Sequence, residues 1–301
     1  MPGFIRSCLA AAALAFSGGA SAQQPAQDAD GAEIVVTGNA EEVERQIKDF
    51  VGALTQAPPR SQLSRFESSI CPGVAGLPPG QKESVIARMR RVGEAAGLRV
   101  GKPGCIPNVM LMVASDKRAF IEALKRKHPY FFDSMPSDEL RRLVSEPGPA
   151  AAWQIDGPPL SADGTAMATG GGPGAEFYVN RTTRKGSLIT ASARPQFQAA
   201  AVVVEQKALE GLTTIQLADY AAMRAFARTD PARLPETSPP TILKVLEAPM
   251  GSEVPLTLTA WDLSFLKGLY AATDNLYAAS QRSEIRRQIE EDLAGEGKPE
   301  K

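Results

Sequence analysis

The chain has 301 residues, with 33 lysines and arginines against 34 aspartates and glutamates, 43% apolar residues, one histidine and three cysteines. A charge this close to balance gives no reason to expect nucleic acid or an anionic membrane surface as a partner. The single histidine, His128, cannot furnish the paired imidazoles of an H-E-x-x-H zinc site, and no G-x-S-x-G segment offers it a serine to activate.

Residues 1–22 have the anatomy of a secretory signal peptide: Arg6, an apolar run from Cys8 to Phe16, then small residues ending in Ala20-Ser21-Ala22. Cys8 stands at the start of the apolar run, whereas a lipid-carrying cysteine would follow it. Cleavage near Ala22 removes Arg6 and leaves 32 cationic against 34 acidic residues. The mature chain is expected to be periplasmic or secreted, with no transmembrane segment, because no later stretch reaches the ~20 continuous apolar residues of a spanning helix.

A polar leader, residues 23–33, precedes a first half that runs over residues 34–150. "EIVVTG" reads as a short strand. Asn39 as N-cap and Glu42 in the first turn open an amphipathic helix whose Val43, Ile47, Phe50, Val51 and Leu54 share one face. Val85, Ile86, Met89 and Val92 mark a second helix ending at Gly97. Cys71 and Cys105 are the two cysteines left after export, both in Pro/Gly-rich turns, and the simplest expectation is one structural disulfide. Val109 to Val113 is an apolar run too short for a helix and reads as a buried strand. "DKRAFIEALKRKH" is a helix with a basic outer face, with His128 at its end, and Ser137 is a cap candidate for a shorter helix stopped at Pro147.

The second half, residues 151–280, begins with the strand "AAWQIDG", followed by a glycine-rich excursion from Pro158 to Gly174. Its "GGGPG" lacks the Gly-Lys-Ser/Thr of a phosphate loop. "AEFYVN", "SLITASARPQFQ" and "AAAVVVE" are strand candidates at a spacing that suggests hairpins. Thr213 with Gln216, and Thr259 with Asp262, place capping boxes at the start of two helices. Residues 281–301 are expected to form a charged, solvated C-terminal tail. The whole is an α+β pattern with a mixed or antiparallel sheet and packed helices, as one domain or two closely packed halves.

Two resemblances lie in particular segments. "DLSFLKGLY", Asp262 to Tyr270, is similar to the closing helix of the matrixins, a metzincin family of zinc peptidases. "TILKVLEAPM", ending in Met250, stands where their methionine turn falls. The resemblance covers Gly211 to Tyr270 and implies a zincin-like scaffold. It puts Gln216 at the first zinc-binding histidine, Leu217 at the catalytic glutamate and Tyr220 at the second histidine, so the chemistry is missing. "CPGVAGLPPGQ", "PGCIPNV" and "EIVVTG" resemble uncharacterised exported proteins of alphaproteobacteria and imply a compartment without an activity.

With no metal set and no cofactor motif, the leading expectation is a non-catalytic protein that binds another protein or an envelope ligand. Its candidate ligand-binding residues lie on the helix of Thr214 to Ala227: Gln216, Asp219, Tyr220 and Arg224. Gln216 and Tyr220 are at i, i+4 and share a face. A second reading is a hydrolase using Glu205 and Asp219 as acid and base on an envelope peptide or glycan. A third is a structural assembly component.

Overall fold

The structure, a computed structural model, describes residues 40–55, 57, 61–132, 135–171, 177–249 and 251–296. The signal peptide, the polar leader, the "EIVVTG" strand, Asn39 and Met250 lie outside the described residues. In chain order the elements are α1 (Ala40–Leu54), β1 (Arg65–Phe66), β2 (Pro72–Ala75), α2 (Pro79–Ala95), β3 (Val109–Ala114), α3 (Lys117–Lys127), α4 (Ser137–Ser145) and β4 (Ala150–Asp156). They continue with β5 (Leu160–Ser161), β6 (Ala168–Gly170), β7 (Phe177–Val179), β8 (Ala193–Arg194), β9 (Gln196–Glu205), α5 (Thr214–Phe226), α6 (Ala260–Ala271) and α7 (Ala278–Glu296). The fold is mixed α+β, as the sequence pattern indicates.

The sheet is organised around β9. On one edge β9 runs parallel to β1 and then to β3, with Val109 opposite Ala200 and Ala114 opposite Glu205, and β2 lies parallel beyond β3. On the other edge β4 pairs antiparallel, Ala150 opposite Val204, so the sheet is mixed. Chain from both sides of residue 150 therefore interleaves in one sheet. A strand flanked on both edges and covered on both faces needs apolar residues throughout, which accounts for the unbroken "AAAVVV". Ala200, Val202 and Val204 enter the larger core, under α1, α2, α5, α6 and α7. Ala201 and Val203 enter a smaller one with Ile121, Phe132, Leu140 and Trp153 beneath α3 and α4.

Local signals explain the ends of most helices. Thr213 and Thr259 accept from the N–H of Gln216 and Asp262, whose side chains reach back, completing both capping boxes. Pro79 occupies the first turn of α2, and Gly97 just beyond its end has φ of 84°. Asp116 caps α3 by accepting from the Ala119 N–H at 2.8 Å, while His128 is its exposed C-cap. Ser137 is not a cap: α4 begins at Ser137 itself after Pro136, whose fixed φ leads the chain into the helix without a side-chain acceptor.

Three expectations need correcting. "SLIT" is a turn and not a strand, with Thr190 making one isolated antiparallel bridge to Leu276, and ladder pairing in that segment is confined to Ala193 to Arg194 and Gln196 onward. The glycine-rich excursion carries short strands, β5 with β8 and β6 with β7, so it is a folded appendage. Residues 281–301 do not all form a solvated tail. Within α7, Gln281, Ile285 and Ile289 are buried, and Gly268 of α6 approaches so closely that a Cβ there would sit 2.8 Å from the Ile285 Cα. The disulfide is formed between Cys71 and Cys105, with Cα atoms 6.0 Å apart. Among the described residues no helix is long and apolar enough to cross a membrane.

Candidate functional site

The candidate residues on α5 separate by role. Gln216 is buried, closes the capping box and donates from Nε2 to the Pro255 carbonyl at 2.9 Å. The Asp219 carboxylate, fully buried, accepts from Arg88 at 2.6 and 2.9 Å, from the Thr257 hydroxyl at 2.8 Å and from the Leu258 N–H at 2.7 Å. Its hydrogen-bonding capacity is consumed in joining α5 to α2 and to the segment before α6. Tyr220 is buried, and burial pushes its phenol up to about 12. Glu205, at the end of β9, pairs with Lys207 at 3.0 Å and accepts from the Lys117 N–H at 3.2 Å. The hydrogen bond from Lys207 holds its carboxyl below the usual range. Asp262 and Tyr270, which carry the matrixin resemblance, also have structural partners: Asp262 binds Thr241, Ile242 and Thr259, and the Tyr270 hydroxyl donates to the Phe226 carbonyl at 2.7 Å.

Arg224 is different, because it lines an open cleft of about 1130 Å³. The walls come from the C-terminal ends of α1, α4 and α5, from the middle of β4, from the chain after α5 and from Arg282 of α7. Helix ends build this site because their last carbonyls need donors. Gln154 of β4 donates to the carbonyls of Arg224 and Ala227 at 2.8 and 3.1 Å, and the Thr229 hydroxyl donates to Met223 at 3.3 Å. Arg282 gives Nε to the Thr55 hydroxyl at 2.8 Å and a terminal nitrogen to the Thr55 carbonyl at 3.2 Å, closing the end of α1.

Five arginines, Arg142, Arg224, Arg228, Arg233 and Arg282, face three carboxylates, Glu139, Glu146 and Asp230, around this cleft. Arg224 is 3% exposed and pairs with Glu146 at 3.3 Å, yet its Nε has no hydrogen-bond partner. Burial opposes the Arg224 charge, and Tyr220, Glu146 and Asp230 restore it, so its pKa lies above the ordinary value. Burial outweighs Arg224 and Lys117 at Glu146 and raises that carboxyl. Arg282 is lowered by burial and by the neighbouring charge of Arg233. Neither Arg233 nor Arg282 forms an ion pair among the described residues. Lys117, behind the cleft, donates to the carbonyls of Glu146, Gly148 and Ala150 and fixes the chain leaving α4.

Such an array suits an oxyanion. Guanidinium groups hold carboxylate and phosphate through paired N–H donors, and partial burial strengthens each contact. Two of the cleft carboxylates are engaged, Glu146 with Arg224 and Asp230 in accepting from the Ala232 N–H at 3.1 Å, and Glu139 is half-buried on α4. Among the described residues no three His, Cys, Asp or Glu side chains converge as a metal site would require. Sequence reasoning reached Arg224 but missed Arg142, Arg228, Arg233 and Arg282. A usable signal was "MRAFARTDPAR", which sets three arginines in ten positions at and beyond the end of α5. Comparison with protein-family models, with curated proteins and with solved structures gives no match.

Proposed function

We propose that this chain is an exported, non-catalytic binding protein whose arginine-lined cleft takes a small anionic ligand bearing carboxylate or phosphate groups. The observation that carries the reading is Arg224, buried in the cleft wall with Nε unpartnered, among four further arginines of which Arg142 pairs with Asp138 at 2.7 Å and Arg228 with Asp156 at 2.9 Å, while Arg233 and Arg282 form no ion pair among the described residues. A buried N–H without an acceptor is costly, and a ligand oxygen drawn into that wall would relieve it. Export rests on the signal-peptide pattern and agrees with the Cys71–Cys105 disulfide.

Thermal unfolding of the mature chain with inorganic phosphate, a dicarboxylate and a sugar phosphate tests this reading. A binder of the folded state raises Tm with concentration, because stability grows as RT ln(1 + [L]/Kd). At least one of these anions is expected to do so, more strongly at low salt, with the rise lost in Arg224→Gln and Arg282→Gln. No shift with any anion, or a shift unchanged in both variants, overturns the proposal.

A further inference from the structure

The folded appendage between β4 and β9 bears a second surface, independent of the cleft. Its loop from Arg181 to Ala191 is closed at the base, where the Asn180 side chain donates to the Ser192 carbonyl at 2.8 Å. At its tip the Ser187 and Thr190 hydroxyls lie 2.8 Å apart, and the Ser187 oxygen also accepts from the N–H groups of Ile189 and Thr190. The tip is braced against the turn between α6 and α7: Tyr277 donates to the Ser187 carbonyl at 3.0 Å, and the Ala191 N–H to the Asn275 carbonyl at 2.8 Å. Held in this shape, the loop turns Leu188 and Ile189 outward at 93% and 70% exposure.

Two neighbouring aliphatic side chains on a braced tip, in water, gain nothing for the fold. Beside them Arg181, Arg184 and Lys185 are exposed and form no ion pair among the described residues. No aspartate or glutamate occurs between Phe177 and Val204. The carboxylates near the base are occupied: Asp274 and Glu67 by Arg65 and Arg194, Asp163 by Ser161 and the Thr165 N–H, and Glu284 by Thr273. The near-neutral charge of the whole chain therefore hides a local surface that is both cationic and apolar.

We infer that the Arg181–Ala191 loop docks on an anionic phospholipid surface, with Leu188 and Ile189 entering the headgroup boundary and Arg181, Arg184 and Lys185 binding lipid phosphates. Apolar burial and attraction to anionic headgroups act together in such binding. The tip is too small for a stable protein interface, which needs roughly 800 Å² from each partner. A membrane boundary accepts so small a wedge because it need not match its shape.

Sedimentation of the mature full chain with vesicles tests the inference, using phosphatidylcholine alone and an equal mixture with phosphatidylglycerol. Binding is expected to the mixed vesicles, to weaken with salt, and to be negligible to the neutral ones. Leu188→Ser with Ile189→Ser, and separately Arg184→Gln with Lys185→Gln, are expected to weaken it by at least about tenfold. All four side chains are exposed, so an unchanged Tm will show that both variants fold. Arg224→Gln is expected to bind vesicles as the wild type does, which separates this surface from the cleft. Equal binding to both vesicle types, or undiminished binding by the loop variants, overturns the inference. Self-association without vesicles that is abolished by Leu188→Ser would also overturn it, because the tip would then be a protein contact.

Discussion

The Arg88 guanidinium grips both carboxylate oxygens of Asp219, at 2.6 and 2.9 Å, and so ties α2 to α5 across the larger core. Arg88 also donates to the Thr257 hydroxyl at 2.7 Å, which in turn donates to Asp219, so three segments meet on one buried charge. Asp219→Asn keeps the shape but removes the charge, leaving Arg88 facing an amide. The expected loss of stability is roughly 3 kcal/mol, the cost typical of breaking a buried pair from one side. Urea denaturation checks it: the midpoint falls while the slope stays constant. A variant as stable as the wild type would show that the pair does not hold these elements together.

The Tyr220 phenol, raised by burial to about 12, makes folding sensitive to alkali. A group whose pKa is higher folded than unfolded contributes stability that is complete below the unfolded value and lost as pH rises through the folded one. For tyrosine that window runs from about 10 to 12. Two units correspond to about 3 kcal/mol lost across it. Tyr220→Phe removes the ionising hydroxyl, so its stability is expected to fall less than the wild type's between those pH values. Parallel decline in the two proteins, followed by circular dichroism, would rule the phenol out as the cause.

What could be read in the sequence was what short-range chemistry decides. The boxes at Thr213 and Thr259 close within three residues, and Gly97 stops its helix for a reason local to the backbone. The cysteine pair followed from counting. The place of β9 was not legible, because an apolar run states that a strand is covered without naming its neighbours. α7 was misread because Ile285 and Ile289 are few among charges, and only the close approach of Gly268 reveals the face they occupy. The cleft was the least legible feature. Arg142, Arg224, Arg228, Arg233 and Arg282 come from four parts of the chain, and only the ends of α1, α4 and α5 bring them together.

That contact between α6 and α7 gives a prediction whose sign is opposite to helix propensity. Alanine is favoured over glycine inside a helix by about 1 kcal/mol. At Gly268 the added methyl would meet the Ile285 Cα at 2.8 Å, and backbone cannot rotate away as a side-chain tip can. Gly268→Ala is therefore expected to destabilise by about 1–3 kcal/mol, the usual cost of overpacking. Gly52 of α1 has nothing within 4 Å of the same position and supplies the control. Thermal unfolding should show Gly52→Ala at or above the wild-type Tm and Gly268→Ala below it.

The Cys71–Cys105 bridge acts on a part of the sheet that local forces hold poorly. β2 and β3 are parallel, with Pro72 opposite Val109, so the chain between them must leave the sheet, form α2 and return. A parallel pair joined in this way recovers its loop-closure entropy only once the register is complete. The disulfide, joining residues 34 positions apart, ties the ends of that crossover together beside the first rung. There the Asn108 side chain accepts from the Cys71 N–H at 2.7 Å, and the Cys71 carbonyl accepts from the N–H groups of Asn108 and Val109. Replacing both cysteines by serine is expected to cost roughly 3–4 kcal/mol, chiefly by freeing the unfolded chain. Since the hydrogen bonds of that rung involve backbone and Asn108, they persist in the variant. The native circular dichroism spectrum should therefore survive in water while the urea midpoint falls, and reductant should bring the wild type to the variant's midpoint. Coincident midpoints before reduction would mean that the bridge adds nothing to what the rung already holds.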